Sequence, residues 1–555
     1  MKKFGKLLIL ILCTAIGLSG FACNRDDPTV VPEDIDYSKS QLYVGTFDGG
    51  FRDNWLNAHA REFEELHAET SFEPGKKGVQ VYPYASRDYG TDGIFSVIDG
   101  AREEVLFLEQ SDYYRLVRED KVLEITDIVN EKLTDYGEDQ SIYDKMNAVD
   151  RDFYNVEDKY YGIPFFEAMY GIFYDVDLFE EKNLFYAAPG EGNPNGFVTS
   201  PSTPRSDGPD GKPDTYDDGL PATFDEFFKL CDRMVQLGIT PIGWSGKEQG
   251  YVNAMLASLA CDAQGYDETL LNFTFDGTAE KLVSGFDADG KPQLYSKEIS
   301  ESNGYLLRKQ VGRYYALEFA ERLFTNERYY DPAVSMQNNV TIYGAQENFL
   351  KGRFDDAYTL TAMHIDGTWW FNEAVAVLDN MANIPGAGRT ERNIALMPFP
   401  KPDDTMLGEF TYLNTYMTEV VIKKTIDPAK IDLAKEFIKF CHTNGALSEF
   451  TALTGTTRPY TYTIEEEDED VITPYGRNLF DIHQSAKTLS PYSSNDLFLR
   501  FPAASSITWE TLVNNTPYTV VTTTMANEGI TARNYFNGMA RYMDETRWNS
   551  NYGPF

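Results

Sequence analysis

From Asp207 to Gly219 the chain reads Asp-Gly-Pro-Asp-Gly-Lys-Pro-Asp-Thr-Tyr-Asp-Asp-Gly, setting the carboxylates of Asp207, Asp210, Asp214, Asp217 and Asp218 among turn-forming glycines. Oxygens spaced this way can wrap a hard cation, and calcium accepts irregular geometry. The spacing departs from the EF-hand loop, whose terminal Glu is missing, so a structural calcium site stands beside a plain solvated turn as a reading. Covalent and redox chemistry have little to work with. The sequence contains no Gly-x-Ser-x-Gly, His-Glu-x-x-His, P-loop or dinucleotide fingerprint, and its histidines, at 59, 67, 364, 442 and 483, are scattered. Apart from Cys13 and Cys23 near the start, only Cys231, Cys261 and Cys441 are present, too few for a disulfide framework or a zinc site. A Cys231 to Cys261 bridge and free buried thiols both remain open. Aromatic and acidic side chains are abundant, with 36 Tyr, 36 Phe, 6 Trp and 87 Asp plus Glu. Aromatic faces stack on apolar ring surfaces, and carboxylates accept hydrogen bonds from hydroxyls. The same residue types line glycosidase clefts, which require two carboxylates at a set separation.

The elements that would position these groups begin after an export signal. Lys2, Lys3 and Lys6 precede an apolar run from Leu7 to Leu18 and the small-x-small site Gly20-Phe21-Ala22, so residues 1–22 read as a signal peptide too short to span a bilayer. Residues 23–40 are polar with two prolines, the composition of a tether. Strands are predicted at Leu42 to Phe47, Val79 to Pro83 and Glu104 to Leu108, alternating with amphipathic helices from Asn54 to Thr70 and after Tyr113. This alternation predicts an α/β architecture. A Pro-, Gly- and Asp-rich insertion at 188–221 interrupts it. Helices resume at Thr223 to Leu237, Val252 to Leu259, Tyr314 to Phe324, Asp432 to His442 and Thr531 to Tyr542. The run Glu465 to Asp470 is expected to be a solvated loop, and Trp55, Trp509 and Trp548 sit in core-like patterns. A net charge of -38 excludes nucleic acid and anionic lipid surfaces as partners.

Cys23, directly after the cleavage site, resembles the lipobox cysteine of bacterial lipoproteins, although Gly20 stands where that motif usually has Leu. Cleavage by the general signal peptidase, leaving a soluble protein, is the alternative. Further motifs occur in order: Val105-Leu106-Phe107-Leu108-Glu109-Gln110-Ser111-Asp112-Tyr113; Tyr161-Gly162-Ile163-Pro164 with Gly171-Ile172-Phe173-Tyr174-Asp175; Leu220-Pro221-Ala222-Thr223-Phe224-Asp225-Glu226; Phe349-Leu350-Lys351-Gly352-Arg353 with Asp366-Gly367-Thr368-Trp369-Trp370; Ala395-Leu396-Met397-Pro398-Phe399-Pro400; and Gly455-Thr456-Thr457-Arg458-Pro459. As a set, over residues 40–460, they resemble the extracellular solute-binding proteins of sugar-type ABC importers, the group that includes maltose-binding protein. Tyr174-Asp175 departs from the family's Tyr-Asn.

The resemblance implies a two-lobed type II periplasmic-binding-protein fold with hinge strands, near residues 166–172, 400–412 and 456–460. It divides the chain into a first lobe of 41–166 and 406–458, a second of 167–405, and a C-terminal segment, 459–555, mainly on the second. It further implies a monomer without cofactor, held on the outer face of the cell membrane by its lipid, passing a carbohydrate, of oligosaccharide size, to a permease. Open α/β sheets present strand ends at a crevice. Candidate ligand contacts near such ends are Phe47, Asp48, Asp112, Glu167, Tyr170, Trp244, Asp366, Trp369, Trp370, Tyr412, Asn414 and Arg458. The competing reading from another class is a secreted carbohydrate-active enzyme.

Overall fold

The computed structural model describes residues 35–90, 93–110, 112–192 and 196–555. The signal segment, Cys13, Cys23, most of the tether and Ser111 lie outside the described residues. Two sheets organise the chain beyond the tether. The first holds five strands, Val79–Ser86, Ser40–Phe47, Val105–Glu109, Thr418–Ile422 and Ile163–Pro164, in that spatial order. The first three run parallel, and Thr418–Ile422 is antiparallel to its neighbours. Pro83, which has no N–H to donate, sits on the edge strand, where none is needed. Helix Asn54–Leu66 buries Trp55, Leu56, Ala60 and Phe63. Strand Val105–Glu109 is buried over its first four residues, as a strand covered on both faces must be.

The second sheet has the order Ile394–Met397, Tyr170–Asp175, Thr361–Gly367, Thr240–Gly243. Its first three strands are enclosed along their whole length. Helix Phe224–Gln236 starts at Thr223, whose hydroxyl accepts from Glu226 N, and turns Phe224, Phe227, Phe228 and Met234 inward.

Three passages join the sheets. The chain leaves the first sheet after Pro164 and enters the second at Tyr170. It leaves at Met397 and returns at Thr418, with Thr411–Leu413 running parallel to Lys487–Leu489 on the way. After helix Asn444–Thr454, ended by Gly455 at φ 67°, it runs on to helix Pro474–Ser485, whose Asn478 Oδ1 accepts from Leu396 N at 2.8 Å. A hairpin, Gly277–Phe286 with Pro292–Ile299, stands apart from both sheets.

Trp55, Trp509 and Trp548 are buried as their patterns predict. The acidic run 465–470 is not wholly solvated: Asp468 is buried and accepts a hydrogen bond from Ser448, drawing the loop onto helix Asn444–Thr454. Cys231, Cys261 and Cys441 are buried free thiols, so no Cys231 to Cys261 bridge forms. Among the described residues no helix is long and apolar enough to cross a membrane.

Candidate functional site

The two sheets meet across a cleft where Trp369, just past the end of strand Thr361–Gly367, lies against the loop after strand Ser40–Phe47. A β-carbon on Gly50 would fall 2.1 Å from Trp369 Cδ1, so only glycine admits this approach. Asn372 Nδ2 donates to the Phe51 carbonyl beside it. Around Trp369 stand three tyrosines. Tyr170 meets it edge-on at 5.1 Å and Tyr251 at 6.2 Å, while Tyr416 lies at 5.5 Å. The hydroxyls of Tyr170 and Tyr416 are hydrogen-bonded at 2.6 Å. With the lips in contact Trp369 and Tyr170 are buried, so their ring faces would be offered for stacking once the cleft opens, with hydroxyls that both donate and accept.

Polar groups ring this aromatic set. Arg87 lies 3.9 Å from Asp48 on its own side of the cleft, and the Tyr343 hydroxyl across from it feels the charges of Glu373, which raises its pKa, and of Arg87, which lowers it. Gln346 Nε2 donates to Glu373 at 2.8 Å and to Asp366 at 3.1 Å. Asp366 is fully buried beneath the cleft, accepts further from Gly367 N and faces His364 Nε2. Burial pushes the Glu109 carboxyl up to about 7, with Arg87 and Gln110 working against the rise. Burial also raises Glu373. A cavity of about 420 Å³ adjoins, lined by Gln110, Ala254, Ala257, Asn414, Tyr416 and Phe498 among others.

The structure thus brings Asp48, Tyr170 and Trp369 to one cleft, with Phe47 beside them against Gly49 and Asn414 on the adjoining cavity. Other predicted contacts lie elsewhere. Trp244 is fully buried against Phe324 and Tyr330, and Trp370 against Phe173, Phe349 and His364, so both are core residues and not platforms. Asp112 caps helix Tyr113–Arg118, accepting from Arg115 N at 3.0 Å. Arg458 is spent on the carbonyls of Phe165 and Cys441 and on His442, tying the first and third passages together. Tyr412 is buried against Thr368. Asn414 Oδ1 accepts from Ala168 N, bracing the first two passages. Glu167 is buried behind the cleft, bonded to Thr457 and His483.

The Asp-rich loop is closed on itself. Asp217 accepts from Asp210 N and Thr215 Oγ1, Asp218 from Asp214 N, and Asp210 from Lys212 N. These bonds turn the carboxylates to the loop's own donors, and among the described residues no group of three or more His, Cys, Asp or Glu is arranged to hold a metal. Of the two readings of Asp207, Asp210, Asp214, Asp217 and Asp218, this self-bonded arrangement is the one a plain turn predicts.

Sequence reasoning missed Arg87, Glu109, Tyr251, Tyr343, Glu373 and Tyr416. Glu109 stands inside the Val105 to Tyr113 motif, at the strand's end, which was the available signal. Tyr251 and Tyr343 lie on helices and carry none.

No family model matches the sequence, and no curated protein matches it. Solved structures do. A chitin oligosaccharide binding protein is similar with a TM-score of 0.50 at 13% identity, over 90% of this chain and 95% of that one. The solute-binding protein RafE in complex with raffinose gives 0.50 at 13%, over 91% and 100%. The apo form of RafE from Streptococcus pneumoniae gives 0.51 at 13%, over 93% and 100%. The fold is the two-lobed type II periplasmic-binding-protein fold. In these terms the sheets are the cores of two lobes, the passages are hinge segments, and the Trp369 cleft lies between the lobes.

Proposed function

We propose that this protein captures a carbohydrate of oligosaccharide size between its lobes and delivers it to the membrane subunits of an ABC importer. The observation that carries the reading is the aromatic group of Trp369, Tyr170, Tyr251 and Tyr416 in the interlobe cleft, ringed by Asp48, Arg87, Glu109 and Glu373. Sugar rings need an apolar face to stack on and fixed acceptors for their hydroxyls, and this cleft supplies both. The similar solved structures include proteins named for chitin oligosaccharide and raffinose. Binding without turnover fits a cleft whose carboxylates are braced, Glu373 and Asp366 by Gln346 and Asp48 by Arg87.

In the same reading residues 1–22 direct export, Cys23 carries a lipid, and residues 23–40 tether a monomer to the outer face of the membrane. The first lobe comprises 41–166 and 406–458, the second 167–405, and 459–555 packs mainly on the second. A thermal-shift screen over mono- and oligosaccharides, with product analysis, tests the function. One sugar class is expected to stabilise the protein and be recovered intact. Release of shorter sugars would make it an enzyme, and no shift with any sugar would remove the reading.

A further inference from the structure

A second cavity, of about 470 Å³, opens behind the cleft at the hinge. Its wall takes Glu167 from the first passage, Tyr460 from the third, and Lys487 from the strand paired with Thr411–Leu413 of the second. Lys145, from before the first passage, and Tyr266, from between the first and second, complete it.

In a chain of net charge -38 this wall is locally basic. It carries Lys145, His483 and Lys487 against the single carboxylate of Glu167. That carboxylate is already engaged. His483 Nδ1 faces Glu167 Oε1 at 2.5 Å, and Nε2 faces the Tyr460 carbonyl at 3.1 Å. A carbonyl can only accept, so Nε2 carries a proton, and a carboxylate facing Nδ1 calls for a second, the imidazolium form. Thr457 Oγ1 also donates to Glu167. Lys145 is 2% exposed and gives two of its three donors to Glu138 and the His442 carbonyl, which leaves one. Lys487 makes no ion pair among the described residues, and its ammonium stands 5.1 Å from the Tyr266 ring.

We propose that this hinge cavity is a binding site for a small oxyanion of the phosphate or polycarboxylate type, held by the remaining donor of Lys145 and by Lys487, while His483, whose two nitrogens are already bonded, contributes no hydrogen bond to it. Its walls include residues of the first and third passages and the strand paired with the second, so the anion sits against segments that must bend when the lobes move. The cavity is present in an arrangement whose cleft lips touch at Gly50 and Trp369, and an anion that binds this arrangement more tightly than an open one favours closure. By linkage, a sugar in the cleft must then tighten anion binding by the same factor as the anion tightens the sugar.

Calorimetric titration of the exported chain without sugar, at constant ionic strength, tests the site with inorganic phosphate and separately with citrate. Saturable one-to-one binding of at least one anion is expected, and the one that binds identifies the source. Lys487→Gln, a change at an exposed side chain, should weaken it several-fold, whereas Lys297→Gln, an exposed lysine on the hairpin that stands apart from both sheets, should leave it intact. Sugar titrations with and without the anion then read the coupling. Absence of heat with both anions at millimolar concentration, or unchanged affinity in Lys487→Gln, overturns the site. Unchanged sugar affinity overturns the coupling. Anion binding in a protein that takes no sugar would uphold this site while removing the cleft reading.

Discussion

His483 and Glu167 form a buried ion pair whose loss should be visible as pH rises. Burial works against the imidazolium, yet the Glu167 carboxylate and the Tyr460 carbonyl outweigh it and raise the His483 pKa above its ordinary 6.5. A raised histidine stabilises the fold fully below about 6.5 and loses that contribution as pH climbs through the folded value. The charged and titratable neighbours are Lys145, Lys487, Tyr460, Tyr462 and Asp150. Asp150, fully buried against Tyr492, Ser490 and Asn147, is pushed by burial to about 7 and titrates in the same range. The informative quantity is therefore the difference in unfolding free energy between wild type and His483→Gln. It should be about 3 kcal/mol at acid pH, the cost of leaving a buried charge unpaired, and shrink toward alkaline pH. A difference independent of pH would refute the pairing. Two tryptophans give a contrasting residue-scale pair. Trp369→Ala should weaken sugar binding about tenfold or more, ~1.4 kcal/mol per tenfold, with a modest change in Tm. Trp244→Ala, deep in the second lobe, should cost about 3–5 kcal/mol of stability while any protein that folds binds normally.

At the scale of elements, periodicity and caps carried far. Thr223 with Glu226 marks the start of helix Phe224–Gln236, and alternating apolar runs mark the strands at Ser40–Phe47, Val79–Ser86 and Val105–Glu109. The hairpin Gly277–Phe286 with Pro292–Ile299 escaped because its strands are half-exposed and lack a continuous apolar face. The cleft was harder to read than the core. Trp369 and Trp370 are adjacent in sequence, yet one faces the opposite lobe and the other the packed interior, a difference set by which elements surround them. Asp112, Arg458 and Asn414 sit near strand ends or passages, as ligand contacts do, but backbone groups reach them first. Gly50 shows what local sequence cannot supply, since its need arises from Trp369, far along the chain and on the other lobe. Gly50→Ala should therefore weaken sugar affinity through loss of lobe contact while leaving Tm nearly unchanged. Titration beside thermal unfolding checks this, and wild-type affinity would show that the approach is dispensable.

At the scale of the whole molecule, the structure describes lobes whose lips touch while three passages connect them behind. Among the described residues the contacts that join the lobes in front include Trp369 on Gly50, Asn372 to Phe51, and Arg389 to the Leu453 carbonyl at 3.0 Å. Contacts within the hinge are many and buried, with Arg458, Asn414 and Glu167 each bonded across passages. A joint that is firm behind and lightly held in front allows bending at the passages without disturbing either core. A ligand favours closure only to the extent that it contacts both lobes, and the cleft offers such contacts through Asp48 and Glu109 on one side and Trp369 and Tyr251 on the other. Solution scattering with and without a saturating sugar should therefore show a smaller radius of gyration in its presence. The Trp369→Ala protein, keeping the hinge but lacking the main platform, should stay at the unliganded value under the same sugar concentration. An unchanged radius in wild type, with binding confirmed by calorimetry on the same sample, would mean that the lobes do not move and that the passages serve as fixed struts.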